Sequence, residues 1–277
     1  EVSGSFCERG RMVEEMKAII LAAGMGTRLG KYTENLPKCM LNFDGKALIE
    51  RQVETLRRAG ITDLSIVRGY MPEKINLTDV KYYHNPDFAT TNMVETLFCA
   101  EKELDGKEEV LICYADVIYE PKVLQSIIGS DAHIGVTVDN DYWDYWKSRT
   151  DNPEADMESL VIEDGLIKEL GDTKCTKDKA EVRYVGLIKL SKEGVQKLKE
   201  TYHYHRQRHF HKEEPWLRSK SFKKAYMTCM LQALINAGQE VKPIIIDRGW
   251  LEFDTVEDYE RYTKWLEEGT LKRFMNL

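Results

Sequence analysis

Near the start of the chain five small or apolar residues run together, Ala18 to Ala22, and stop at a small-residue turn, Ala23-Gly24-Met25-Gly26. An unbroken apolar run ended by glycines predicts a strand buried on both faces. Downstream the period changes. Leu48, Ile49, Val53 and Leu56 recur at helical spacing within 47–59, and Gly60 follows as a helix stop. Short strands return at 64–68 and 80–84. A helix is predicted over 92–104 with Thr90, Thr91 and Asn92 as capping residues, and 109–115 reads as a fourth strand with Asp116 at its end.

The second half continues with a strand at 133–139, the aromatic segment Tyr142-Trp143-Asp144-Tyr145-Trp146, and a hairpin at 160–167 turning on Asp164-Gly165. A strand at 182–190 leads into a helix that Ser191 caps and that runs to about Thr201. The polar stretch 203–220 reads as a long surface loop, 222–237 as a helix ending at Gly238, 241–246 and 250–254 as the last strands, and 255–268 as a closing helix.

Strands and helices alternating at this spacing predict an α/β fold, a mostly parallel sheet sandwiched by helices with a smaller inserted lobe. The chain shows no repeat and no Pro- or Gly-rich linker, so residues 16–277 are expected to form one domain of two halves, 16–132 and 133–277, after a flexible tail at 1–15. Ligands of such sheets bind beyond the carboxyl ends of the strands. Gly24 to Arg28, Gly69-Tyr70, Asn85 and Asp116 all fall at that edge, so four loops converge on one crevice.

Composition narrows the class. Charged residues make up 31% and hydrophobic residues 42% of 277, the balance of a globular protein with a sizeable core. A net charge of −7 argues against a general nucleic-acid binder, which usually carries a basic face. The six cysteines (Cys7, Cys39, Cys99, Cys113, Cys175, Cys229) form no C-x-x-C pair and share no spacing with histidine, which predicts a reducing, cytoplasmic setting. No run nears the roughly 20 apolar residues of a membrane span, and 1–15 lacks a signal-peptide core. His203, His205, His209 and His211 lie at i, i+2 spacing among Arg and Lys, which suits a mobile loop better than a zinc motif.

The opening loop carries the chemistry. Gly24 and Gly26 let backbone approach a ligand closely, successive N–H groups make an anion cradle, and Arg28 and Lys38 add two cations. A nucleotide is the leading ligand. The loop is not a dinucleotide fingerprint, because Leu29 stands at the third glycine position and Arg68 ends the second strand where an acid belongs. The Gly-Lys-Ser/Thr of a Walker loop is absent as well.

What fits is a third pattern. Leu21-Ala22-Ala23-Gly24-Met25-Gly26-Thr27-Arg28-Leu29 with Pro37-Lys38 resembles the nucleotidylyltransferase signature L-A-A-G-x-G-T-R-L followed by P-K. The resemblance covers most of the chain after Met16 and is closer still to the small cytidylyltransferases that activate phosphocholine or phosphonates. It implies a Rossmann-like fold with 16–132 as the CTP-binding half and 133–277 as the acceptor-binding half. It makes Arg28 and Lys38 catalytic, Lys38 on the α-phosphate and Arg28 on the β/γ groups. The nucleotide would be wrapped by Leu21, Ala22, Ala23, Gly24, Met25, Gly26 and Thr27, with Gly69, Tyr70, Asn85, Thr90, Thr91 and Asn92 around the base. Asp116 and Asp254 would hold Mg²⁺, a hard cation that takes carboxylates together with substrate phosphates.

Further features resemble the phosphonate branch: Ile66-Val67-Arg68-Gly69-Tyr70, Asp139-x-x-x-Trp143-x-x-Trp146-x-x-Arg149, Tyr184-Val185-Gly186 and the run from Gly249 to Asp254. Tyr226 departs from that pattern, which has an acid just before Met227-Thr228. The aromatic segment has two readings. Either it packs the lobe onto the sheet, or Trp143 and Trp146 recognise an acceptor ammonium group by cation–π contact beside a carboxylate. Candidate carboxylates are Asp139, Asp144, Asp156, Glu158 and Glu181, and Arg149 and Arg183 are candidates for the acceptor anion.

The expectation is a Mg²⁺-dependent cytidylyltransferase that joins CMP from CTP to 2-aminoethylphosphonate and releases pyrophosphate. A choline-phosphate cytidylyltransferase is the nearest rival; a sugar-1-phosphate nucleotidylyltransferase and a non-catalytic nucleotide-binding regulatory domain are more distant. The expected partners are CTP and a small phosphonate or phosphate-ester acceptor, with neither nucleic acid nor membrane. A homodimer and fusion to a further C-terminal domain stay open.

Overall fold

The structure, a computed structural model, describes residues 16–277; the tail expected at 1–15 lies outside the described residues. Strand β1 (Met16–Ala22) runs into the glycine loop, and a short ribbon of β2 (Asn42–Phe43) and β3 (Lys46–Ala47) leads to helix α1 (Leu48–Arg58). Then follow β4 (Asp63–Arg68), β5 (Lys81–His84), α2 (Met93–Phe98), β6 (Glu109–Tyr114), β7 (Val117–Tyr119) and α3 (Pro121–Ile128). The second half contains β8 (Ile134–Asp139), α4 (Tyr142–Arg149), β9 (Leu160–Glu163), β10 (Leu166–Leu170), β11 (Arg183–Leu190) and α5 (Lys192–His209). It closes with α6 (Met227–Asn236), β12 (Lys242–Ile246), β13 (Trp250–Glu252) and α7 (Val256–Glu267).

All seven residues of β1 are buried, as its unbroken apolar run requires. Alternate side chains feed two separate cores: Ala18, Ile20 and Ala22 one, Ile19 and Leu21 the other. Among the described residues the main sheet has seven strands in the order β12-β8-β11-β6-β1-β4-β5. Strand β1 pairs in parallel with β4 on one side and β6 on the other, and β4 pairs in parallel with β5. The strand order therefore reverses at β1, which places the crevice at its carboxyl end. Strand β11 is antiparallel to both β6 and β8, so the sheet is mostly rather than wholly parallel. The inserted lobe includes the β9–β10 hairpin, whose turn residues Asp164 and Gly165 both have positive φ, 51° and 74°, as a tight hairpin turn demands. No helix among the described residues is long and apolar enough to cross a membrane.

Several elements differ from the pattern read along the chain. Helix α6 starts at Met227 rather than at 222, because 222–224 form a separate tight turn, and the short strands β2, β3 and β7 were not expected. Helix α2 stops at Phe98, and a tighter turn brings Glu103 to Lys17, Lys81 and Tyr83 at the far end of the sheet. Helix α3 starts on Pro121 at its first turn and buries Val123, Leu124 and Ile127. The aromatic segment forms helix α4. Helix α5 continues through His209, so the first part of 203–220 is helical rather than loop. Tyr202 holds that extension down by stacking on Phe98 and donating to Glu95 at 3.0 Å.

Gly69, at the end of β4, shows how tightly the crevice is closed from behind. A Cβ there would lie 2.7 Å from the Cβ atoms of both Ala23 and Phe88. Gly69→Ala is expected to lower stability by about 1–3 kcal/mol through overpacking. Gly24→Ala, whose Cβ would meet nothing within 4 Å, should stay within about 0.5 kcal/mol of wild type. Equal losses in urea unfolding would contradict the packing argument.

Candidate active site

The loop after β1 turns at Gly26, which has φ 68° and accepts no side chain: a Cβ would sit 2.8 Å from Cβ of Lys38. That contact lets Lys38 pass beneath the loop. Thr33 fixes the turn by donating to the Gly26 carbonyl at 2.7 Å. Lys38 then reaches both acidic strand ends, with Nζ 2.6 Å from Asp116 Oδ2 and 2.7 Å from Asp254 Oδ1. Arg28 Nη1 lies 2.5 Å from the other oxygen of Asp254.

Asp116 and Asp254 meet because β7 and β13 pair antiparallel outside the main sheet. The Phe253 N–H also donates to the Asp116 carbonyl at 2.9 Å. Two buried side chains brace this junction from behind. Gln52 donates to the carbonyls of Tyr114 and Val117, on either side of Asp116. Asp258 accepts from the Asp254 and Thr255 N–H groups at 2.9 Å each, and from Arg149 Nε and Nη2 at 2.7 and 2.8 Å. Burial raises the pKa of Asp116 although Lys38 opposes it. Burial would lower Lys38, but the two carboxylates outweigh it and raise the ammonium pKa.

The two carboxylates suit a hard cation. Magnesium is commonly held by one or two carboxylates plus substrate phosphates. Asp116 Oδ1 is buried without a hydrogen-bond partner, an acceptor that a cation would satisfy. Among the described residues no third His, Cys, Asp or Glu joins them in a metal-binding group.

Two cavities open on this junction. The first, about 280 Å³, is lined by Leu21 to Gly24, by Gly26 and Thr27, by Thr91 and Asn92, and by the charged residues Arg28, Lys38, Asp116 and Asp254. Asn92 Oδ1 caps α2 through the Met93 N–H at 2.9 Å. The remaining residues expected around the nucleotide stand behind this wall or outside it. Gly69 packs against Ala23, and Tyr70 against Phe88. Asn85 is buried, with its amide donating to Thr91 and Thr96 at 3.0 Å each. Thr90 bonds back to Asp87, and Met25 faces solvent.

The second cavity, about 600 Å³, shares Arg28, Met93, Asp116, Tyr226 and Asp254 with the first. Of the expected acceptor residues, Asp156, Glu158 and Arg183 line it. Removal from water raises both carboxyls, and the charge that most opposes this is Arg183.

The other expected acceptor residues do not reach this cavity. Trp146 is fully buried, its ring covered by the guanidinium groups of Arg149 and Arg183 at 4.4 and 4.1 Å. Arg149 is enclosed by Asp258 and Glu252. Asp139 accepts from Trp250 Nε1 at 2.7 Å and from the backbone of Asp141 and Arg248. Asp144 pairs with Arg248 and Arg273 on the outer face, Trp143 lies under Lys177, and Glu181 is exposed. The direct contacts expected of Trp146, Arg149 and Asp139 are therefore corrected to support from behind: Trp146 is sealed from solvent beneath two guanidinium groups, and the charges of Arg149 and Asp139 are already matched within the protein. The four histidines of 203–211 are not gathered either: His203 pairs with Glu101 and His205 packs on His209 and Trp216.

Glu252, Lys174 and Arg218 line the second cavity without having been singled out in the sequence. A signal existed for Glu252: it lies two positions before Asp254 in the stretch 250–254 that reads as a strand, and hence on the same side. Gln52 carried one too, as a polar residue in the apolar stripe of α1 between Ile49 and Leu56.

The chain belongs to the MobA-like NTP transferase domain family, which it matches over residues 18–207. It is similar to the CTP:phosphoglutamine cytidylyltransferase of Campylobacter jejuni, 34% identical across 88% of this chain and 98% of that protein. It is also similar to the 2-aminoethylphosphonate cytidylyltransferase of Lancefieldella rimae, 30% identical across 40% of this chain and 47% of that one. The solved CTP:phosphocholine cytidylyltransferase of Streptococcus pneumoniae shares the fold, with a TM-score of 0.67 at 22% identity over 91% of this chain and 99% of that one.

Glu252 gives the site a measurable acid limit. Burial would raise its pKa, but Arg149, Arg183 and Lys38 outweigh it and hold the carboxyl at about 2. That lies below the roughly 4.3 of a free Glu. Its ionisation therefore stabilises the fold above that pH, and the contribution is lost as pH falls toward 2. Glu252→Gln is expected to cost about 2 kcal/mol at pH 7, with the gap to wild type closing as pH falls from about 4. Urea unfolding across that range checks it; a constant gap refutes the assignment.

Proposed function

We propose that the protein transfers CMP from CTP to a phosphoryl or phosphonyl oxygen of a small ammonium-bearing acceptor. The observation that carries this reading is that Asp116, Asp254 and Arg28 are shared by both cavities, with Lys38 between the two carboxylates. An α-phosphate held at that junction would face an acceptor oxygen entering from the second cavity. A new bond forms from that oxygen to the α-phosphorus as the α–β bridging bond breaks, and pyrophosphate leaves with the electron pair. The acceptor oxygen is already anionic at neutral pH, so no general base is needed.

Charge grows on the departing bridging oxygen. Cations aimed there stabilise the transition state more than the ground state. Lys38 is assigned to the α-phosphate and Arg28 to the β/γ groups. Asp116 and Asp254 would hold a divalent ion that neutralises phosphate charge and orients the transfer.

Asp156 and Glu158 suit the acceptor's ammonium group, and Arg183 suits its anion. The full-length likeness to a phosphoglutamine enzyme favours an amino-acid acceptor, and one feature of the cavity supports it. Lys174 and Arg218 add cations to its wall, where an α-carboxylate would be balanced. Phosphoglutamine therefore leads, and 2-aminoethylphosphonate, which lacks the carboxylate, is the second reading. No tryptophan lines the cavity among the described residues, which weighs against a quaternary ammonium caged by indoles.

The test is pyrophosphate release from CTP with phosphoglutamine, 2-aminoethylphosphonate and phosphocholine offered separately. Silence with all three overturns the proposal. Asp116→Asn is expected to lower kcat by about 100-fold or more. Lys174→Ala should raise KM for phosphoglutamine by roughly tenfold while leaving KM for 2-aminoethylphosphonate unchanged. Equal effects on both acceptors would remove the carboxylate assignment.

A further inference from the structure

Lys38 Nζ stands where a cation shared by Asp116 and Asp254 belongs, 2.6 and 2.7 Å from one oxygen of each. Two carboxylates this close and this sheltered repel each other unless a positive charge lies between them. The lysine stem is confined, because Cβ and Cγ pack beneath Gly26; only the far end of the side chain is free to swing. Arg28 is tied at one end to the second oxygen of Asp254, while most of its side chain faces solvent.

A magnesium ion sits about 2.0–2.1 Å from its oxygen ligands. It cannot share this spot with an ammonium group. Asp116 keeps one oxygen without a partner, but both oxygens of Asp254 are taken, so an ion entering alone to bridge the pair would have to displace Lys38 or Arg28 from Asp254 and crowd the ammonium group in a sheltered place. In return it would gain two carboxylates, with no third His, Cys, Asp or Glu grouped with them among the described residues. A triphosphate changes both sides of that balance. Its oxygens complete the ion's coordination and give Lys38 and Arg28 new anions along the Gly24–Gly26 wall.

We propose that Lys38 is the resident counter-ion of the Asp116–Asp254 pair, so that divalent cation and nucleoside triphosphate bind as a coupled pair and neither binds well alone. The proposal rests on the reading of the first cavity as a triphosphate site. By linkage the coupling is reciprocal: whatever factor the nucleotide adds to metal affinity, the metal adds to nucleotide affinity. Lys38 thus has a role before the reaction starts, as a lock against metal alone.

The experiment is calorimetric titration of Mg²⁺ into the full chain, with and without saturating CTP and with no acceptor present. With the heat of Mg²⁺ binding to CTP in protein-free solution subtracted, wild type should bind Mg²⁺ at least about tenfold more tightly with CTP than without it. Lys38→Met, which keeps the stem and removes the charge, should bind Mg²⁺ alone roughly tenfold more tightly than wild type does and lose most of the CTP dependence. If Lys38→Met binds Mg²⁺ no more tightly than wild type, the counter-ion role is wrong. Should that variant be unfolded without metal, Mg²⁺ at concentrations that leave wild-type melting unchanged is expected to refold it; failure to do so overturns the proposal equally. Failure of the CTP arm alone would count against the nucleotide assignment, since the Mg²⁺-alone comparison involves no nucleotide and no turnover.

Discussion

The pairing of β7 with β13 is the constraint on which the rest of the centre depends. It places Asp116 and Asp254, from opposite halves of the chain, on one lysine. Neither acid is positioned by its own strand alone. Gln52 grips the carbonyls on either side of Asp116, and Asp258 grips the amide of Asp254 while Arg149 neutralises it. The Arg149–Asp258 pair is buried, and removing either partner would leave an uncompensated charge inside the protein. The carboxylates are therefore fixed from behind by groups that never face the cavities. That kind of support holds a site to the fine tolerance that catalysis requires.

A second constraint joins the two cavities. The segment before α6 lies alongside the start of α2: the Asn92 N–H donates to the Lys223 carbonyl, the Val94 N–H to that of Ala225, and Lys224 Nζ to that of Ala89. One wall of the first cavity is thereby stitched to one wall of the second, and Tyr226 stands at the seam. The opposite end of the sheet is built otherwise. There Lys17 is surrounded by Glu103, Asp105 and Glu108. Charges at that end compensate one another locally, whereas those at the carboxyl edge are arranged so that ligands can compete for them.

Much of this was legible because it is local. The all-apolar β1, its glycine stop, the helical period of α1 and the Asp164-Gly165 turn are each decided within a few residues, and the observed elements follow them closely. The loop signature was legible for a related reason: Gly26 must be glycine because Lys38 passes under it. What was not legible is decided between distant segments. Helix α5 looked like a loop since its extension is polar and is held down by Phe98 and Glu95 from another helix. Helix α2 ended early because Glu103 is drawn to lysines on strands. Sequence distance also hid which charges are free and which are already matched. Nothing near Arg149 in the chain announces that Asp258 and Glu252 enclose it.

The aromatic segment shows that packing and recognition need not be alternatives. Trp146 is sealed from solvent, yet its ring lies against the Arg183 guanidinium, which lines the second cavity. An arginine held by an indole face, by the Asp156 carbonyl at 2.9 Å and by the Glu252 carboxylate at 4.0 Å has little freedom left. Cation–π contact of that kind is stronger away from water, and the order it imposes is imposed before any ligand arrives. The spacing of Trp146 and Arg149 on α4 then gains a physical reason. One turn of helix presents an aromatic plane to Arg183 and a buried cation to the acids Glu252 and Asp258, which in turn hold Arg183 and the backbone of Asp254. Recognition of the acceptor's anion would thus begin in the core, with a tryptophan that the anion never meets.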